Sequence, residues 1–322
     1  MIDLDINYNN LNLYNNLTTS DNKLSSLILE EIKDLPALAE VENIKLLDST
    51  IDVTNKFIKD KENFIVFGTG GSNLGGKALV NILQGNEKNN IIFYDNIDPI
   101  FFENSLKKFD LYKTGFIIIS KSGSTPETLS QLGSLIELFD QQNSLDIFYN
   151  NILIITEDKE TPLNKFAKDN KCTFLKHEED VGGRYSVFTN VGIVPAIIAG
   201  LDVKKFCFGA STFKNNIVKY LNTNKDFNSN IIFKLPLFFK YFKSQNKITN
   251  SVIMTYSDAL YNFGKWYLQL WAESIGKNSK GITAIHAMGT TDQHSQLQLY
   301  LDGPKDKFFT FITTDHSNKG LK

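Results

Sequence analysis

The chain reads as an α/β protein, a doubly wound parallel sheet followed by the opening of a second sheet of the same kind. Two observations predict this. Short apolar runs recur along the chain and alternate with segments of helical periodicity, the pattern of parallel strands joined by helical crossovers. The runs are apolar at nearly every position rather than at alternate ones, as in strands covered on both faces.

The first 60 residues are polar with helical spacing, through Leu24, Leu27, Ile28 and Ile32 and again through Ile44, Leu47, Ile51 and Phe57, and form a helical arm (1–60). Strands are then expected at Phe64–Phe67, Ile91–Tyr94, Phe116–Ser120, Asn151–Thr156 and, more weakly, Thr173–Leu175, giving a doubly wound domain over about 61–200. The second sheet opens at Ser251–Tyr256, with Asp258 expected to cap a helix running to about Trp271. Ile282–Ile285 and Phe308–Ile312 are further strands, Gln293–Leu301 is a helix, and this sheet reads as unfinished at Lys322. The Asn-rich stretch Asn222–Asn230 is the expected boundary.

The length of 322 residues suits about two domains. A net charge of −2 gives no field to recruit nucleic acid or an anionic membrane. The longest apolar stretch, around Val191–Gly200, falls short of the roughly 20 residues that span a bilayer. Acid at Asp3 and Asp5, where a secretory signal carries base, predicts no targeting segment and a cytoplasmic protein. Cys172 and Cys207 lack metal-ligand spacing and are expected as buried thiols. Of 34 basic residues, only Arg184 is arginine. Lysine replaces arginine easily as a surface charge but not where a planar, multi-donor fork is needed, so Arg184 is a candidate functional residue.

Five segments carry candidate chemistry. Gly68–Gly76 (Gly-Thr-Gly-Gly-Ser-Asn-Leu-Gly-Gly) lies between a strand and a helix, where glycines permit close backbone approach and the helix start favours an anion. A dinucleotide reading fails because position 73 is Asn, and Asp95 is the nearest candidate acid, so a small ligand at Gly71 and Ser72 is favoured. In Ser120–Thr128 (Ser-Lys-Ser-Gly-Ser-Thr-Pro-Glu-Thr), Pro126 suits a first helical turn and Thr125 its N-cap. Ser120, Ser122, Ser124 and Thr125 thus gather hydroxyls at a positive helix end, as a phosphate monoester needs. Val181–Phe188 (Val-Gly-Gly-Arg-Tyr-Ser-Val-Phe) sets Arg184 beside Gly182 and Gly183. Glu273 ends an apolar helix carrying Trp266, Leu270 and Trp271. Such an acid is usually solvated, but desolvation there makes it a base near neutrality. His294, in Gly289–Ser295 (Gly-Thr-Thr-Asp-Gln-His-Ser), is a candidate acid or base, although alone such a residue caps a helix or lies at the surface. His177, His286 and His316 have no comparable setting.

The Gly-Gly-Ser and Ser-Lys-Ser-Gly-Ser-Thr-Pro-Glu-Thr motifs resemble the sugar-isomerase (SIS) domain, which binds phosphosugars. With Val-Gly-Gly-Arg-Tyr-Ser, Ala-Glu-Ser-x-Gly-Lys and Thr-Asp-Gln-His-Ser in order over roughly 64–322, the chain resembles the phosphoglucose isomerase family in its shorter bacterial form. The resemblance implies two SIS domains of three αβα layers (61–225 and an incomplete 226–322), a homodimer, a sugar phosphate substrate and no cofactor or metal. It implies that Ser120, Ser122 and Thr125 hold the phosphate, with Lys121 contributing to the loop. It implies that Gly71 and Ser72 contact the sugar, that Gly183 and Arg184 lie beside the reacting carbons, and that Glu273 moves the proton. It assigns ring opening to His294, which in a dimer serves the partner's site. The alternatives are a phosphosugar-sensing SIS module without catalysis, or an isomerase acting also on mannose 6-phosphate. The family's C-terminal segment, with a catalytic lysine in a Gln-x-Gly-Val-Glu context, has no counterpart in these residues.

Overall fold

A computed structural model describes residues 22–223, 236 and 248–315. Strands β1 (Asn63–Phe67), β2 (Asn90–Tyr94), β3 (Thr114–Ile119), β4 (Ile152–Thr156) and β5 (Thr173–Lys176) form one sheet in the order β2-β1-β3-β4-β5. Every pairing is parallel, with Phe67 opposite both Tyr94 and Ile118. The side chains of β1, β3 and β4 explain the layering. Ile65, Phe67, Phe116, Ile118, Ile152 and Ile154 face the helices Pro126–Gln141 and Pro162–Asp169 through Leu132, Leu135, Phe139 and Leu163. Phe64, Val66, Ile117, Ile119, Leu153 and Ile155 face the helices Ile44–Phe57 and Asn190–Ala199 through Phe57, Val191, Val194 and Ile198. Both faces of the sheet are therefore core, and each fully buried large aliphatic side chain contributes about 1.5–3 kcal/mol.

The strand order matters for function. The strand order reverses between β1 and β3, with β2 added on one side and β3, β4 and β5 on the other, and in open α/β sheets ligands bind beyond the carboxyl ends of the strands at such a switch point. The glycine-rich loop follows β1 and the serine-rich loop follows β3, so the order places both loops at this crevice.

A second sheet, β7-β6-β8, is again parallel, with β6 (Asn250–Thr255) between β7 (Thr283–Met288) and β8 (Lys307–Ile312). Helices Tyr261–Ile275 and Thr291–Asp302 follow β6 and β7. The expected helical arm contains helices at Asn22–Asp34, Pro36–Glu40 and Ile44–Phe57. It is packed in place: Ile28, Leu29 and Ile32 lie against Ile217 and Leu221 of the helix Val203–Thr223. Residues 224–230 of the expected boundary fall outside the described residues. Cys172 and Cys207 are free and buried, and burial pushes the Cys172 thiol up to about 11. No described helix is long and apolar enough to cross a membrane.

One local expectation is corrected. Asp258 does not cap the helix after β6, because a 3-10 turn, Asp258–Leu260, intervenes. The free donor of Asn262 in the first turn is instead met by Asn81 Oδ1, from the helix Leu74–Asn81 of the first sheet, at 3.2 Å; Asn262 Nδ2 donates to the same oxygen at 3.0 Å. The helix start is thereby satisfied by a residue distant in sequence.

A buried histidine, His177, and a half-buried one, His286, make stability depend on pH. Burial lowers the pKa of His177, which gains only partial support from the Glu178 carbonyl at 2.9 Å. Burial also lowers that of His286, whose Nε2 lies 3.0 Å from Thr255 Oγ1. The unfolded chain therefore binds more protons below about pH 6.5, and stability should fall as pH drops through that value. Glu178, whose carboxyl burial pushes up, acts in the opposite sense at lower pH. The denaturant midpoint should accordingly decline from pH 7.5 to 6, and His177→Gln and His286→Gln should each flatten that slope; an unchanged slope in both would refute the assignment.

Candidate active site

Four segments converge at the carboxyl ends of the first sheet. After β1, Gly70 adopts a positive φ of 52° and opens the 3-10 turn Gly70–Ser72. Asn73, the residue that breaks the dinucleotide pattern, is buried, and its Nδ2 donates to the Gly68 carbonyl at 3.1 Å. It therefore pins the turn that a third glycine would leave loose. A β-carbon on Gly71 would overlap the backbone of Gly183, so these two loops touch main chain to main chain. Ser186 Oγ fastens the contact, donating to Gly183 O at 2.7 Å and lying 3.1 Å from Gly71 O.

After β3, Ser120 is buried and shares a hydrogen bond of 2.7 Å with Thr125 Oγ1. Thr125 occupies the N-cap of Pro126–Gln141 as expected, but its side chain makes no cap bond because the hydroxyl turns to Ser120. Ser122 and Ser124 are exposed, with their hydroxyls 3.2 Å apart. Gly123 has a φ of 64° and packs on Thr161, which leaves no room for a side chain. The loop therefore presents hydroxyls at the start of a 16-residue helix, where unpaired N–H groups and the helix dipole favour an anion. Lys121 points elsewhere: its Nζ donates to the carbonyls of Glu179 at 2.6 Å and Val181 at 3.0 Å.

Arg184 lies in the 3-10 segment Gly183–Phe188 with its side chain 19% exposed. Its Nε donates to Ser274 Oγ at 2.9 Å, its NH1 is 3.6 Å from Glu273 Oε2, and its guanidinium lies 4.2 Å from the Tyr185 ring centre. The Trp266 indole N–H donates to the Arg184 carbonyl at 3.0 Å. Glu273 also accepts from Gln269 Nε2 at 2.9 Å, one turn back on the helix Tyr261–Ile275. Of the two readings of Glu273 the structure bears out the solvated one and not desolvation by the tryptophans: its side chain is 50% exposed. The two indole N–H groups bond Arg184 O and Ile282 O, while Gln269, half-buried, lies toward Gly70 and Glu273 beyond it is exposed.

Gly71, Ser72, Ser120, Lys121, Ser122, Thr125, Gly183 and Arg184 thus belong to one connected set of loops, which Glu273 joins from the helix Tyr261–Ile275. His294 does not join them. It is exposed on the helix Thr291–Asp302 of the second sheet, and no described contact links it to Arg184 or Glu273. Gln269, Ser274 and Tyr185 were not singled out from the sequence. The spacing of Gln269 and Glu273, one helical turn apart, was the available signal. No group of three His, Cys, Asp or Glu side chains that would hold a metal occurs among the described residues.

A family model described as phosphoglucose isomerase matches residues 37–320. A glucose-6-phosphate isomerase of Campylobacter jejuni is 36% identical over 89% of this chain and 71% of its own length. A glucose-6-phosphate isomerase of Methanocaldococcus jannaschii is 38% identical over 80% of this chain and 61% of its own. The crystal structure of a hypothetical protein of Thermus thermophilus superposes with a TM-score of 0.78 at 28% identity, covering 90% of this chain and 69% of that one. The chain thus spans about three-fifths and seven-tenths of these two relatives' own lengths.

The geometry around Arg184 yields a prediction. A lysine there keeps the charge but not the fork that serves Ser274 and Glu273 together. Losing one charge-assisted bond of about 1.5–3 kcal/mol corresponds to roughly 10- to 100-fold. Arg184→Lys should lower kcat/KM by that factor with the fold intact, as read by circular dichroism and steady-state kinetics; wild-type kcat/KM would refute it.

Proposed function

The chain belongs to the phosphoglucose isomerase family, and from that premise we propose that it carries the sugar phosphate site of an enzyme interconverting glucose 6-phosphate and fructose 6-phosphate. The observation that carries this reading is the pairing of a carboxylate with a held guanidinium, Glu273 and Arg184 at 3.6 Å, beside two loops suited to a phosphosugar. Aldose–ketose isomerisation removes a proton alpha to a carbonyl and returns it to the neighbouring carbon. A carboxylate takes and gives that proton, and a fixed cation stabilises the charge on the enediolate oxygens.

In this reading Ser120, Ser122 and Thr125, at the positive end of Pro126–Gln141, hold the phosphate. Gly71 and Ser72 contact the sugar, since the glycine loop lies against Gly183 and a ligand there approaches main chain directly. Gly183 places Arg184 beside the reacting carbons. Glu273 moves the proton between C1 and C2, and Gln269 orients its carboxylate. His294 opens the sugar ring. Its distance in the fold from the Arg184–Glu273 pair is consistent with service to a second copy's site, in a homodimer acting in the cytoplasm. Residues 61–225 and 226–322 are the two SIS domains of this reading.

A coupled assay for conversion of fructose 6-phosphate to glucose 6-phosphate tests it. Bound sugar phosphate without conversion would point instead to a sensing module. Glu273→Gln should lower turnover by about 10²- to 10⁴-fold, the usual worth of a general base, while sugar phosphate affinity by calorimetry stays close to wild type; near-normal turnover would remove Glu273 as the base. Thr125→Ala should weaken binding several-fold through the lost hydroxyl, with a smaller effect on kcat, and unchanged affinity would take Thr125 out of the phosphate site.

A further inference from the structure

Lys121 lies in the middle of the serine loop, yet its ammonium faces away from the loop's hydroxyls. An ammonium has three N–H donors and no acceptor. Two are used by the carbonyls of Glu179 at 2.6 Å and Val181 at 3.0 Å, and Nζ also faces Glu157 Oε1 at 3.6 Å. Glu157 is only 11% exposed at its side chain and Lys121 32%, so solvent screens this cluster incompletely. The backbone of Lys121 is fastened as well: its carbonyl accepts from Glu157 N at 3.2 Å and from Thr156 Oγ1 at 3.3 Å, both at the carboxyl end of β4.

The segment that receives the ammonium is held at both ends, by Lys159 and Lys176 on the Glu179 carboxylate and by Tyr185 N and Ser186 Oγ on the carbonyls of Gly182 and Gly183, while the Glu179 and Val181 carbonyls between them take the ammonium. Val181 N donates to Glu178 O at 3.3 Å, closing a turn, and Gly182 and Gly183 follow without side chains. Glycines lose the most conformational freedom on ordering, so the placement of Arg184 depends on what holds the carbonyls just before it as well as on the Gly71–Gly183 contact and the Trp266 bond. Lys121 holds two of them.

We propose that Lys121 is a positioning residue: its ammonium braces the segment 178–184 and so sets Arg184 against Glu273, and it is not a ligand of the substrate phosphate. The contrast with a phosphate ligand rests on the reading of Ser120–Thr125 as the phosphate loop; the brace itself does not. The brace also ties the two loops together, so that ordering of the serine loop around an anion is felt at Arg184 through one side chain.

The chain's two tryptophans supply a reporter, since the Trp266 indole N–H donates to the Arg184 carbonyl while that of Trp271 donates to Ile282. In protein labelled with 5-fluorotryptophan, fluorine NMR should give two signals, assigned with Trp271→Phe. Lys121→Met should shift or broaden the Trp266 signal and leave that of Trp271 in place. The dissociation constant for inorganic phosphate, by calorimetry, should change by no more than about twofold, whereas loss of a direct ammonium–phosphate bond costs about tenfold or more. Lys121→Arg, which keeps charged donors at similar reach, should restore the Trp266 signal. If Lys121→Met does not fold, Lys121→Gln is read in the same way. An unmoved Trp266 signal overturns the brace, and phosphate binding weakened about tenfold or more with Trp266 unmoved makes Lys121 a phosphate ligand instead. A wild-type protein that binds no phosphate would defeat the phosphate-loop reading, and the Trp266 signal would still decide the brace.

Discussion

The site depends on a contact that tolerates no side chain. Gly71 and Gly183 meet main chain to main chain, and a β-carbon at Gly71 would occupy the space of the Gly183 carbonyl carbon. Ser186 Oγ closes the contact, donating to Gly183 O and lying 3.1 Å from Gly71 O. Because β1 and β5 lie apart in the sheet, the loops that follow them meet only by reaching across the crevice. Everything further out is placed relative to that contact. Arg184 is the next residue, its carbonyl receives Trp266, and its guanidinium receives Ser274 and Glu273. Glycine at position 71 is thus a condition for the pairing of charges.

The arginine itself shows why one position resists a general drift to lysine. Elsewhere lysine makes single-point pairs at the surface, as in Lys77–Asp95 at 3.0 Å and Lys113–Glu62 at 2.8 Å. Such pairs are worth at most about 1 kcal/mol and need only a point charge. At position 184 the cation uses an edge nitrogen, a terminal nitrogen and its flat face, toward Ser274, Glu273 and Tyr185. An ammonium has no plane with which to meet all three.

Much of this was legible in the sequence, for local reasons. Runs such as Phe64–Phe67 and Phe116–Ile119 read as doubly covered strands because no polar residue interrupts them, and the loops after them read as ligand-facing because of their glycines and hydroxyls. What the sequence left hidden depends on long-range partners. Asn81 completing the helix start at Asn262, and Lys121 reaching the carbonyls near Val181, follow from strand order and loop packing, which periodicity does not encode. Desolvation of Glu273 stayed open in the sequence for a related reason: apolar neighbours in sequence, Trp266 and Trp271, need not surround a side chain that leaves the helix on another face. For His294, the motif marks the residue, but within one chain the fold gives it no partner in the described site.

The helix Tyr261–Ile275 shows where a division by sequence and a division by function part company. By position in the chain it belongs to the second sheet, and Gly264 lets it lie directly on His286 of β7. Its opposite contacts belong to the first sheet: Asn81 at its start, the Arg184 carbonyl in its middle, the Arg184 guanidinium near its end. These contacts are spread over the helix length, so a rigid shift of the second sheet cannot preserve one and break another; it would carry Glu273 away from Arg184 as a unit. A boundary near residue 225 therefore separates two sheets but cuts through a single site. Neither half alone holds both the cation and the carboxylate, and the fidelity of their pairing rests on the interface that this one helix makes with the first sheet.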